Sequence, residues 1–101
     1  MYVIRDVFKV KFGRMKEVMV LVKEGESFMR EMQNPNDRIL TDFTGEYYTL
    51  VMETHTESLS DFEKMMSQTF ADNKYEEWYK KFIPLVDRGY REILKVVDLK
   101  K

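Results

Sequence analysis

The spacing of apolar positions changes along the chain, and each change marks an element. From Tyr2 to Lys11 the period is two. Tyr2, Ile4, Asp6, Phe8 and Val10 share one face, and Val3, Arg5, Val7, Lys9 and Lys11 the other. Alternation of this kind, rich in β-branched and aromatic residues, predicts a strand, and Gly13 ends it. From Arg14 to Gln33 the spacing becomes three and four. Met15, Val18, Met19, Val22, Met29 and Met32 form a stripe widened by Leu21 and Phe28, which predicts an amphipathic helix. Gly25 interrupts that helix at a cost of about 1 kcal/mol against alanine. It marks a tolerated weak spot, close packing on the sheet, or room for a ligand beside the helix. Asn34-Pro35-Asn36-Asp37 predicts a turn. Two short strands follow, Arg38–Thr44 and Tyr47–His55, joined as a hairpin through Gly45.

Ser58, with Asp61 three residues on, has the pattern of a helix N-cap. Leu59, Phe62, Met65, Met66 and Phe70 supply the buried stripe of the helix it opens. Ala71-Asp72-Asn73 breaks that helix, and a second segment is expected over Lys74–Val86, capped by Asn73 and Glu76. Tyr75, Trp78, Tyr79, Phe82 and Val86 fall on one side of it. Pro84 predicts a kink or early stop. Gly89 separates this segment from a last strand, Tyr90–Val97. The order β-α-β-β-α-β predicts an α+β fold of ferredoxin-like topology, a four-stranded antiparallel sheet with the helices on one face. One domain over 1–101 is expected at this length.

The other face of such a sheet would ordinarily be polar. Here it is expected to carry Val3 and Val7, Ile39 and Phe43, Tyr47 and Val51, Ile93 and Val97. Arg5 and Glu53 fall on it too, as an interfacial ion pair. An apolar sheet face of this size signals association, and a second copy packed sheet to sheet is the simplest cover. Charge is uneven as well. Residues 1–33 carry seven basic and five acidic side chains, 34–77 three and ten, and 78–101 seven and three. A two-fold homodimer can lay the basic half of one sheet over the acidic half of the other.

Composition narrows the chemistry. With no cysteine, thiolate catalysis, disulfides and a cysteine zinc site are excluded, and one histidine cannot by itself build a multi-histidine metal site. His55, between Thr54 and Thr56, is expected at the surface or the dimer rim. It would join Glu53 and Asp42 around a metal only if all three converged, against their strand parities. No apolar run approaches the roughly 18 residues of a membrane span, and no signal-peptide pattern opens the chain, so a cytoplasmic protein is expected. A net charge of −1 and the lack of a glycine-containing basic strand speak against a nucleic-acid partner.

Asp6 is the most informative position. It shares a face with Tyr2, Ile4, Phe8 and Val10, so its carboxylate must be hydrogen-bonded, solvated by a cleft, or protonated. It is either a satisfied structural group, or a residue that orients or deprotonates a substrate. Tyr48, Met52, Trp78 and Tyr79 are either core residues or the lining of the same cleft, an apolar pocket with polar tips.

Several runs carry a resemblance. Phe8-Lys9-Val10-Lys11-Phe12-Gly13-Arg14 resembles the first-strand exit of the dimeric α/β barrel proteins, with Phe12-Gly13 where Pro-Gly is usual. Arg38-Ile39-Leu40-Thr41-Asp42-Phe43-Thr44-Gly45 and Tyr48-Thr49-Leu50-Val51-Met52-Glu53 are similar to the second hairpin of NIPSNAP-like and antibiotic-biosynthesis-monooxygenase-like members. Glu57-Ser58-Leu59-Ser60-Asp61-Phe62-Glu63 resembles their second-helix start. Trp78-Tyr79-Lys80-Lys81-Phe82-Ile83-Pro84-Leu85-Val86 and Arg91-Glu92-Ile93 are similar to the NIPSNAP-like C-terminus. The resemblance implies a homodimer, paired as a dimeric α/β barrel, with a ligand cleft between each sheet and its helices. It leaves the chemistry open, since the superfamily includes oxygenases, isomerases, peroxidases, sensors and members without known activity. Asp6 resembles in place a polar pocket residue, an asparagine, of heme-degrading relatives. Those relatives also use a helix histidine whose nearest match here is Tyr79, so no heme and no other cofactor is expected. Two readings stand: a cofactor-free oxygenase-like or isomerase-like enzyme for a small hydrophobic substrate, or a dimeric ligand-binding or structural module without turnover.

Overall fold

The computed structural model describes residues 1–29 and 34–100. β1 (Tyr2–Val10) leads into α1 (Met15–Gly25). β2 (Arg38–Thr41) and β3 (Thr49–Thr56) follow, then α2 (Leu59–Phe70), α3 (Asn73–Phe82), a 3-10 turn at Ile83–Leu85, and β4 (Val86–Lys95). The strands form one antiparallel sheet in the order β2-β3-β1-β4. The chain is thus an α+β protein with the ferredoxin-like order and an open sheet. Among the described residues no helix is long and apolar enough to cross a membrane.

The core lies between the sheet and the helices. Val10, Leu50 and Met52 from the strands meet Val18, Leu21, Val22, Met29, Trp78 and Phe82 from the helical side. Trp78 is buried and donates its indole N–H to the Leu21 carbonyl at 2.5 Å, so the ring ties α3 to α1. Phe82 stacks on Trp78 with ring centroids 4.8 Å apart. Ser58 caps α2 by accepting from the Asp61 N–H at 3.3 Å. The cap of α3 is Asp72, which accepts from the Lys74 N–H at 2.8 Å, one position before the expected Asn73. Pro84 ends α3 in a 3-10 turn, since proline cannot donate to the helical ladder.

Other expectations are corrected. α1 stops at Gly25, and the part of the expected helix over 30–33 lies outside the described residues. An alanine Cβ at Gly25 would lie 3.1 Å from Met29 Cε and 3.4 Å from the Trp78 indole nitrogen. This glycine packs against Met29 and Trp78 and also borders a cavity of about 460 Å³. The hairpin strands are shorter than expected, because 42–48 form a loop in which Asp42 accepts from the Thr49 N–H at 2.9 Å and Tyr48 takes a φ of 60°. Gly89 does not precede the last strand but sits inside it. Its missing side chain admits Phe8 from the neighbouring strand, since a Cβ there would come within 2.6 Å of Phe8 Cδ1.

The pairing register corrects the make-up of the open face. Ile39 sits opposite Met52 and Ile93 opposite Ile4, so both isoleucines turn toward the helices. The open face instead carries Leu40, Val51, Val7 and Tyr90 in one row and His55, Val3 and Leu94 in another. A strand's faces alternate at every residue, so a one-residue error in hairpin register exchanges them. Phe43 and Tyr47 lie in the loop and Val97 beyond β4, all three exposed.

Candidate functional site

Asp6 lies on the helix-facing side of β1, directly across from Arg91 on β4. Arg91 donates to it twice, Nε to Oδ1 at 2.5 Å and Nη2 to Oδ2 at 3.3 Å. The Arg91 guanidinium carbon stands 5.5 Å from the centre of the Phe62 ring, and Nη1 reaches the Met66 sulfur at 3.1 Å. Of the three states open to a carboxylate on this face, Asp6 is hydrogen-bonded, and its partner is a cation held over an aromatic ring of α2. A guanidinium has five N–H donors. These contacts use three, leaving two for water or a ligand.

The ion pair lines a cleft of about 520 Å³ between β1, β4 and α3. Tyr75 and Tyr79, one helical turn apart, stack with centroids 5.6 Å apart and planes 13° from parallel, and form one wall. Phe8 and Phe82 meet edge to face at 5.0 Å and form the apolar base. Gly89 borders the cleft and lets Phe8 approach β4. The exposed Asp87 also borders the cleft. Such a cleft can hold a flat apolar body against the tyrosines and direct one polar group of it at the Asp6–Arg91 pair.

The five residues singled out from the sequence are not all brought together. Asp6 and Tyr79 line this cleft. Met52 is buried and lines a separate cavity of about 460 Å³ with Ile39, Gly25 and Asp37. Trp78 is buried beneath Tyr75, its one donor spent on Leu21. Tyr48 packs edge-on to Phe12, centroids 4.7 Å apart, in the hairpin loop. Sequence reasoning missed Arg91, Tyr75 and Phe8 as members. Tyr75 had a readable signal, its four-residue spacing from Tyr79. Arg91 had none short of the strand register, being 85 positions from Asp6.

Outside the cleft, His55 sits between two carboxylates, Nδ1 3.3 Å from Asp37 Oδ1 and Nε2 3.9 Å from Glu53 Oε1. Asp42 is committed to the Thr49 backbone. In the hairpin loop, Glu46 accepts from Arg88 at 2.8 Å and lies 3.6 Å from Lys9, whose ammonium also reaches the Tyr47 carbonyl. The Arg88 hydrogen bond and charge, and then Lys9, hold the Glu46 carboxyl below its usual range.

An α+β sheet carrying an aromatic cleft under its helices defines the class of protein. Comparison with solved structures narrows the fold. A NIPSNAP family protein of unknown function from Agrobacterium tumefaciens superposes with a TM-score of 0.83 at 16% identity, over 98% of this chain and 90% of that one. An uncharacterized NIPSNAP-like domain protein from Burkholderia xenovorans gives 0.86 at 18% identity, over 97% and 86%. A candidate antibiotic biosynthesis monooxygenase from Nitrosomonas europaea gives 0.68 at 16% identity, over 97% and 100%. At these identities the likeness is one of fold, and the fold is that of NIPSNAP and antibiotic-biosynthesis-monooxygenase-like proteins. No protein-family model and no curated relative matches the chain.

Proposed function

We propose that the chain is a homodimeric small-molecule-binding protein, with a small hydrophobic ligand held between β1, β4 and α3. The observation that carries this reading is the juxtaposition of the Tyr75–Tyr79 wall with the Asp6–Arg91 pair in one solvent-connected cleft.

The finer reading is a cofactor-free, oxygenase-like or isomerase-like activity on that ligand. The fold likeness to a candidate monooxygenase supports it. In this reading Tyr79 and Tyr75 bind the ring, Phe8 and Phe82 exclude water, and Arg91 directs a free N–H at a substrate oxygen. Both Asp6 oxygens accept from Arg91. Asp6 therefore holds Arg91 in place, and its two oxygens keep further lone pairs that can accept a substrate hydrogen. Tyr48, Met52 and Trp78 support this site through the core and the hairpin.

The test is calorimetric titration with 1-naphthol, a flat apolar ring bearing one hydroxyl. Tyr79→Ala should weaken binding about three- to tenfold, the range of one aromatic contact. Asp6→Asn should weaken it too, by freeing Arg91 to move. Equal affinity in all three proteins, or none in the wild type, would remove the cleft from the proposal.

A further inference from the structure

The open face of the sheet carries a row of charges that crosses all four strands. Arg38 on β2 stands opposite Glu53 on β3, Glu53 opposite Arg5 on β1, and Arg5 opposite Glu92 on β4. The row reads plus, minus, plus, minus. Its members touch: Arg38 Nε to Glu53 at 2.8 Å, Arg5 Nε to Glu53 at 3.8 Å, and Arg5 Nη1 to Glu92 at 3.5 Å. A row flanks it on each side, the apolar Leu40, Val51, Val7 and Tyr90 toward one end of the strands, and His55 with the apolar Val3 and Leu94 toward the other. Glu53 is 7% exposed, and the Arg5 Nε is buried with no hydrogen-bond acceptor in reach.

We infer that this row is the element that orients a second copy of the chain on the open face. The inference rests on the homodimer reading above and fixes its geometry. A two-fold axis parallel to the strands reverses the strand order of the partner while leaving each row at its own level. β2 then meets β4, and β3 meets β1. Arg38 comes to Glu92 of the partner subunit, and Arg5 to Glu53 of the partner subunit. All four positions meet the opposite sign because the row is antisymmetric about its middle. An axis across the strands would instead set Arg5 on Arg5 of the partner subunit and Glu53 on Glu53 of the partner subunit. Like charges directly opposed are repulsive, most of all with water excluded. The flanking rows supply the burial, and the charged row selects one of two otherwise similar packings.

Sedimentation equilibrium of the whole chain tests this with edge charges, which are the more exposed: the Arg38 side chain is 62% exposed and that of Glu92 41%. Arg38→Glu sets two like pairs across the axis and should raise the dimer dissociation constant about tenfold or more. Glu92→Arg should do the same. An equimolar mixture of the two variants should dimerise within about threefold of the wild type, since the heterodimer restores both opposite pairs. The double variant Arg38→Glu/Glu92→Arg should dimerise as tightly. Should Arg38→Glu fail to fold by circular dichroism, Glu92→Arg and the double variant carry the test alone. A dimer indifferent to these changes, or single losses that neither the mixture nor the double variant repairs, would overturn the charged row while leaving the dimer. A wild-type monomer at 100 micromolar would overturn both.

Discussion

Replacing Gly89 with alanine tests how the cleft is built. The backbone of Gly89 is not in the left-handed region, so alanine brings no conformational strain. It brings a methyl group 2.6 Å from Phe8 Cδ1, 3.0 Å from Phe8 Cε1 and 3.2 Å from the Val7 carbonyl oxygen. Carbon atoms rest at about 3.5–4.0 Å, so roughly 1 Å must be recovered by movement. The Val7 carbonyl belongs to a strand paired on both sides, and the Phe8 ring is met edge-on by Phe82 at 5.0 Å. Neither can give way cheaply. Overpacking of this kind costs about 1–3 kcal/mol, against about 0.4–1 kcal/mol regained because alanine orders at less entropic cost than glycine. A net loss of about 1–2 kcal/mol corresponds to a fall of roughly 5–15 °C in melting temperature for a chain of this length. Thermal unfolding by circular dichroism at one fixed protein concentration reads it. Adding Phe8→Leu to Gly89→Ala should recover part of the loss, because leucine vacates the position that the methyl group contests. An unchanged or higher melting temperature in Gly89→Ala would refute the close approach of Phe8 to β4.

Two further outcomes are expected. Asp6→Asn should leave the oligomeric state unchanged and cost no more than about 1 kcal/mol in urea unfolding, because the Arg91 side chain is 38% exposed and solvent screens the pair; a loss above about 2 kcal/mol would make Asp6 a structural group alone. Because folding lowers the Glu46 pKa from 4.5, its ion pairs with Arg88 and Lys9 stabilise the fold above that value, and the contribution is lost as pH falls through the lowered one. Acid-unfolding curves of the wild type and Glu46→Gln should therefore differ at neutral pH and converge below pH 4.5, and parallel curves throughout would remove the Glu46 cluster.

Local chemistry was legible wherever it decided the structure. The alternation from Tyr2 to Val10, the Ser58 cap and the stop at Pro84 each follow from residues a few positions apart, and each is found. The open face was legible as apolar but not residue by residue. Ile39 and Leu40 are equally suited to a strand, and only the pairing of β2 with β3 decides which one faces the helices. Gly89 reads as punctuation until Phe8 is seen to pass beside it. The site was half legible. An acidic residue among Tyr2, Ile4, Phe8 and Val10 signals an unmet electrostatic need, but its partner lies on a strand from the other end of the chain. Met52 and Trp78 have the same composition cues as cleft residues, and burial alone separates them from Tyr79.

The pairing of β1 with β4 also has a temporal consequence. The first strand waits for the last, since Asp6 and Arg91 are separated by nearly the whole polypeptide. On a ribosome, β1 can pair with β3 well before β4 has emerged, and until then its other edge is bare. The contacts that close the cleft are those of highest sequence separation and cost the most loop entropy to form. The cleft is therefore completed after most of the helix–sheet core. A chain shortened by its last dozen residues would keep the Phe8–Phe82 base of the cleft but lose Arg91, and one edge of β1 would stay bare and open to aggregation.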